Sequence, residues 1–387
     1  MRDGFAIVDA DGHLAEPADV FDGRIDEKYL ERAPRILRTA DGRQGMSFLG
    51  NPPAVGMFGS GDAIVPGGIQ DPKYRDWDDG DPGAFDPAAR LREMDAEGLD
   101  VSVLFPTLGL FAPLVPEADA EAAYCAALND FYAEYCSADP DRLRGVAMLP
   151  LKDVGAAVRE VQRAAERGFV AVCLRPNPDP HTGQQVADPR LEPVWAAVEE
   201  TGMAACFHEG VNPILPFAGV ERCTSMYDWH VVSHPFEQML AMMTVIRAGV
   251  LERHPELRMG FMESNCGWLP YWLDRMDSNW KALSRMVPEI RMRPSEYFAR
   301  QCFITAEADE QSIPVVAREV GPGCMVWSSD FPHYDAEWPG AVGEMIERKD
   351  LTPDLKRAVL GGNAARWFRL PVVTPPRVAA GVRRREP

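Results

Sequence analysis

The sequence has no stretch of about 18 apolar residues, the length a helix needs to cross a bilayer, so no membrane span is expected. Its start, Met1-Arg2-Asp3-Gly4-Phe5-Ala6-Ile7-Val8, lacks the long apolar run and cleavage site of a secretory signal, and a cytoplasmic protein is expected. Cationic residues are in deficit: Lys+Arg total 40 against 59 Asp+Glu, a formal net charge of -19. Such a surface repels phosphate backbones and anionic lipids at long range, which argues against nucleic-acid and membrane partners. The eight cysteines include no Cys-x-x-Cys pair. Several lie in apolar runs such as Ala171-Val172-Cys173-Leu174, and they read as reduced core thiols. Histidine is scarce, at seven residues, and His13, His208, His234 and His333 fall near or just after the ends of apolar runs.

With 387 residues and 46% apolar content the chain can bury a large core. Strand-like apolar runs recur at residues 5–10, 100–105, 143–149, 169–174, 203–207, 257–262, 302–305 and 325–328. Helical patterns lie between them, at 118–137, 154–167, 191–201, 235–251, 267–286 and 310–320, with Asp153 and Asp309 as N-caps and Gly168 and Gly202 as stops. Eight strands alternating with helices predict an α/β fold, a (β/α)8 TIM barrel, rather than an open sheet. Residues 1–370 read as one domain and 371–387 as a C-terminal arm. Between the first two strands, residues 17–90 are rich in Gly, Pro and Asp with no sustained period, and read as an insertion over the barrel mouth or as a surface excursion.

Catalytic groups of a barrel sit at the C-terminal ends of its strands. The first strand ends Asp9-Ala10-Asp11-Gly12-His13, where period-two geometry puts Asp9, Asp11 and His13 on one face. Asp11 and His13 can share an ion there, or serve a turn. His208 ends the apolar run Met203–Phe207, as a metal ligand or as a satisfied core histidine. Asp330 follows the last strand and can both ligate a metal and carry a proton. Asp11, His13, His208 and Asp330 together offer two imidazoles and two carboxylates, a donor set suited to Zn²⁺ first and Mn²⁺ second. Arg175 ends the fourth strand and can clamp a substrate carboxylate or pair with Glu209 or Glu263.

The motifs Asp9-x-Asp11-x-His13-x-x-Glu16, His234-Pro235-Phe236-Glu237, Glu263-x-x-x-Gly267-Trp268-Leu269-Pro270 and Ser329-Asp330-Phe331-Pro332-His333 resemble the amidohydrolase superfamily, in the branch related to aminocarboxymuconate semialdehyde decarboxylase. The resemblance spans residues 5 to 370. It implies a metal-dependent barrel acting on small carboxylated substrates, with Asp11 and His13 as paired ligands, His208 as the strand-five ligand and Asp330 as ligand and acid/base. It also suggests a homodimer. Two departures stand out. Asp11-x-His13 replaces the common His-x-His and is similar to the hydroxybenzoate decarboxylase members, while Glu263 stands where decarboxylase relatives often carry a catalytic histidine. His234 can take over that role, or its His-Pro step can simply begin a helix.

The expected function is a mononuclear metal-dependent decarboxylase of a small hydroxyaryl or unsaturated acid, with Asp330, His234 and Glu263 as the catalytic group and Arg175 on the substrate. The competing enzyme is a hydrolase of an amide, ester or lactone that uses a metal-activated water. A barrel that binds metal without catalysis is the reading from another class.

Overall fold

The computed structural model describes residues 1–53, 76–210, 215–333 and 336–371. Eight parallel strands form one sheet in the order β1 (Val8–His13), β4 (Val101–Phe105), β5 (Leu143–Met148), β6 (Ala171–Leu174), β7 (Ala204–Phe207), β8 (Arg258–Phe261), β9 (Cys302–Ala306) and β10 (Met325–Trp327). Two further strands, β2 (Arg35–Arg38) and β3 (Gln44–Ser47), pair antiparallel outside it. The barrel strands are buried along almost their whole length because helices cover their outer faces, which is why they read as unbroken apolar runs.

The sheet closes between β1 and the segment after β10. The Asp330 N–H donates to the Asp11 carbonyl at 3.0 Å, and the His13 N–H donates to the Phe331 carbonyl at 2.8 Å. Asp9 reinforces the seam: it accepts from Ser102 Oγ at 3.1 Å, Ser329 N at 3.0 Å and Ser329 Oγ at 2.8 Å. Asp9 is therefore a clasp, facing β4 and β10 rather than sharing a site with Asp11 and His13. A register shift between Asp9 and Gly12 breaks the strict alternation expected there. Gly12 is required at that bulge, since a Cβ would stand 2.4 Å from Asp9 Oδ2.

Several helix ends follow the sequence signals. Asp153 caps the helix Val154–Glu166 by accepting from the Ala156 N–H, and Gly202 ends Glu192–Thr201 at φ 71. Asp309 is not a cap. The helix expected from 310 begins at Ile313, with proline in its first turn and Ser312 at the N-cap position. The helix Met226–Arg247 begins ahead of Pro235, because Ser225 and Asp228 form a capping box, so the His234-Pro235 step lies inside a helix and does not start one.

In the interval 17–90, the described part is not irregular throughout. It holds the β2–β3 hairpin and the helices Pro82–Phe85 and Pro87–Glu97. Trp77 Nε1 donates to the Glu16 carbonyl at 2.7 Å, and Trp77 packs with Ala15, Ile36 and Ala84 in a small buried cluster just beyond β1. Residues 54–75, which carry most of the Gly/Pro-rich stretch, and 372–387 of the expected arm lie outside the described residues. Among the described residues no helix is long and apolar enough to cross a membrane.

Candidate metal centre

Asp11 and His13 complete β1, His208 follows β7, Glu263 lies two residues beyond β8, and Asp330 follows β10, so all five project from the same end of the barrel. Gln238 holds two of these strand ends together by donating Nε2 to the carbonyls of Phe207 at 2.8 Å and Met262 at 2.9 Å. Arg90, buried, donates to the carbonyls of Gly83 and His13 and so fixes the end of β1. Glu16 does not enter the site. Its carboxylate accepts from Leu108 N, Gly109 N and Tyr132 Oη, holding the loop after β4.

The two imidazoles define the centre. His13 Nδ1 lies 2.9 Å from the Pro106 carbonyl and His208 Nδ1 lies 2.6 Å from the Glu209 carbonyl. Carbonyl oxygens only accept, so each Nδ1 carries a hydrogen and each ring turns its Nε2 toward the centre, free to ligate a metal once that nitrogen is deprotonated. Those two Nε2 atoms are 3.0 Å apart. Asp11 Oδ1 lies 3.4 Å from His208 Nε2 and 3.7 Å from His13 Nε2, and Asp330 Oδ1 lies 3.4 Å from His13 Nε2. Asp11 Oδ1 is buried and has no hydrogen-bond partner. Convergent lone pairs and carboxylate oxygens in a buried site repel one another unless a cation lies among them. Two imidazoles with two carboxylates fit a divalent ion on these grounds.

Electrostatics distinguish the two rings: against its own burial, His208 is raised above the ordinary histidine value by the carboxylates of Asp11 and Glu263. Burial pushes the Asp11 carboxyl up to about 6, against the pull of His208. His13 is held well below the usual histidine range by burial, then by His333 and His208, which keeps its ring neutral as a ligand must be. Asp330 and Glu263 adopt φ 54 and φ 44, left-handed conformations uncommon for these residues and concentrated at the site.

Beside the centre runs a row of alternating charge. Glu263 Oε2 is 3.4 Å from His208 Nε2, and its Oε1 is 3.3 Å from His234 Nε2, which in turn lies 3.9 Å from Glu209 Oε2. Burial acts to lower His234, but the carboxylates of Glu263 and Glu209 outweigh it and raise the imidazole to about 9. Against its own burial, Glu263 is held well below the carboxylate range by His234 and His208. His234, Glu263 and Asp330 line a cleft of about 300 Å³ together with His230, Asn265 and Ser328.

Arg175 does not join them. Its Nη2 pairs with Glu209 Oε1 at 2.6 Å and its Nη1 donates to the Gly210 carbonyl at 3.0 Å, the ion pair that the sequence offered beside the substrate clamp. His333, to which sequence reading gave no role, lies 3.0 Å from Asp330 Oδ1 through its Nδ1, with its ring centroid 3.9 Å from that of His13. Its spacing of three residues from Asp330 was the available signal. Arg90 and His230 carried none.

The family model described as Amidohydrolase matches residues 8–370. This chain belongs to the amidohydrolase family. The match covers the barrel and the site of this amidohydrolase together. It is similar to the 2-amino-3-carboxymuconate-6-semialdehyde decarboxylase of Dictyostelium discoideum, 26% identical over 75% of this chain and 78% of that protein. It is also similar to a gamma-resorcylate decarboxylase of Rhodococcus jostii, 28% identical over 64% of this chain and 79% of the relative. The fold is shared with a dihydroxybenzoic acid decarboxylase from Polaromonas, solved with bound manganese and 2-nitroresorcinol, at a TM-score of 0.67 and 18% identity over 95% of this chain and 97% of that one.

Proposed function

We propose that this amidohydrolase is a divalent-metal-dependent decarboxylase of a small hydroxyaryl or unsaturated carboxylic acid. The observation that carries the reading is the pair of imidazole Nε2 atoms 3.0 Å apart with Asp11 and Asp330 beside them, at the barrel end that opens on the cleft. The names of the two relatives, both decarboxylases of such acids, support the reaction type. Asp11, His13, His208 and Asp330 would hold the ion, and the donor set suits Zn²⁺ or Mn²⁺. Manganese in the Polaromonas structure supports the second. When bound, the ion supplies Lewis-acid attraction for the substrate's carboxylate and neighbouring oxygen.

The protein's own groups then handle the proton. Asp330, in its protonated form, delivers a proton to the carbon that bears the carboxylate. The carbon–carbon bond breaks, its electron pair restores the conjugated system, and CO2 leaves. His333 Nδ1, 3.1 Å from Asp330 Oδ2, returns a proton to the carboxylate. His234, cationic between Glu209 and Glu263, faces the cleft and attracts an anionic substrate group. Glu263 keeps that charge in place. Arg175, tied to Glu209, acts on substrate only through this row.

The described part of residues 17–90 is read as a cover for the mouth, supported by Trp77 packing directly beyond β1. Exposed Phe236 and Leu240 on the helix Met226–Arg247, with exposed Tyr271 on its neighbour, support a homodimer. The free cysteines and acidic surface support a cytoplasmic enzyme without nucleic-acid or membrane partners. A mass-spectrometric assay of the metal-loaded protein over hydroxybenzoates, unsaturated acids and lactones tests the reaction. Loss of CO2 from a carboxylated substrate is expected, whereas addition of water to an ester, amide or lactone, with no CO2 from any acid, assigns the same ligands to hydrolysis and overturns the reading.

A further inference from the structure

Among the described residues, none bonds the Ser264 hydroxyl. The residue is 4% exposed and its Oγ has no hydrogen-bond partner, although buried polar groups are nearly always paired. It stands in the turn after β8 between Glu263 at φ 44 and Asn265 at φ 54, so the backbone on both sides of it is left-handed. The turn is held in place. Trp268 Nε1 donates to the Ser264 carbonyl at 3.1 Å, and Glu310, on the loop after β9, accepts from Cys266 N at 2.7 Å and from Glu307 N at 3.0 Å. Ser264 lines the cleft beside the metal centre and also an outer groove of about 470 Å³. Pro235, Asn265 and Asp309 border both, so groove and cleft run on from one another. Among the described residues bordering the groove none belongs to the metal centre, and the groove therefore lengthens the site away from it.

We propose that cleft and groove together take a two-ended substrate: an acid whose carboxylate meets the metal centre and whose far end is an arm bearing an ammonium group, which donates to Ser264 Oγ and lies against Asp309. The distribution of charge decides the sign of the arm. His230 and His234 are the basic groups of the cleft, and no Lys or Arg is found among the described residues that line either hollow, whereas Glu307, Asp309 and Glu337 add carboxylates. An arm ending in a carboxylate or phosphate would be repelled there. A single unsubstituted ring would leave the Ser264 hydroxyl unpaired. An ammonium group answers both conditions, because it donates to a hydroxyl oxygen and is attracted by a carboxylate. The proposal deepens the decarboxylase reading and rests on it for the carboxylate end of the substrate.

Isothermal titration calorimetry of the Mn²⁺-loaded protein tests this with 2-hydroxybenzoate and with 2-hydroxybenzoates carrying an aminoethyl or a carboxyethyl arm at carbon 4 or 5, the carbons that point away from the carboxylate and its neighbouring hydroxyl. At one of the two carbons the amino arm should tighten binding about tenfold or more over 2-hydroxybenzoate, the scale of one hydrogen bond to a charged group, and the carboxylate arm should weaken it. Ser264→Ala, which removes only an atom without a protein partner, and Asp309→Asn, at an exposed position, should each shrink the gain. If 2-hydroxybenzoate binds but the amino arm adds nothing at either carbon, or the carboxylate arm tightens binding as much, the two-ended substrate is overturned while the decarboxylase reading stands. A gain that survives either substitution in full has the same meaning. A loaded protein that binds none of these acids overturns both.

Discussion

Asp330 carries the heaviest chemical assignment of any residue. Replacing it with asparagine keeps its shape and its backbone bond to Asp11 while removing the group that moves the proton. Asp330→Asn should retain metal and lose about 10²-fold or more in kcat, the scale of a positioned acid/base. Near-normal kcat with metal bound would shift the proton step to His234 or Glu263. His234 supplies a pH test in metal-free protein. Its imidazole is raised from an ordinary 6.5 to about 9, so the ion pair with Glu263 contributes stability that is fully present below 6.5 and is lost as pH rises through about 9. Thermal melts should show wild type ahead of His234→Asn at pH 6 and level with it at pH 10. An equal gap at both would mean that the charge on His234 does not contribute. That Asp11, His13, His208 and Asp330 converge was legible because each lies at or shortly after the end of a strand. The state of Arg175 was not, since a guanidinium after a strand looks the same in sequence whether it meets substrate or Glu209.

Among elements, the barrel strands were readable for a physical reason: strands buried on both faces carry little but apolar residues. The first strand shows the limit. Its apolar run suggested residues 5–10, yet β1 runs on to His13, because the Asp9 carboxylate is bonded inside the closing seam and the backbones of Asp11 and His13 pair with Asp330 and Phe331. The β2–β3 hairpin went unread since Arg35-Ile36-Leu37-Arg38 and Gln44-Gly45-Met46-Ser47 lack clean alternation. The start of Met226–Arg247 was hidden by the proline in its interior, which ordinarily breaks a helix. Asp9 yields the prediction at this scale. Asp9→Asn turns an amide N–H₂ toward the donors on Ser102 or Ser329, leaving a buried polar group unpaired, and should cost roughly 2–4 kcal/mol. Urea denaturation measures it; an unchanged midpoint would show that the seam closes without the carboxylate.

For the whole molecule, association and metal binding are the properties to test. Phe236→Glu with Leu240→Glu places two charges on exposed apolar positions and should give a monomer by light scattering if this face joins two copies. An unchanged dimer would put the interface elsewhere. The central claim is that the lone pairs of His13 and His208 converge on an ion. Elemental analysis of untreated protein after gel filtration tests it most directly. Wild type should retain one tightly held divalent ion per chain, with His13→Ala and His208→Ala each losing it while remaining folded. A metal-free wild type that turns over substrate at full rate would contradict the account at its core.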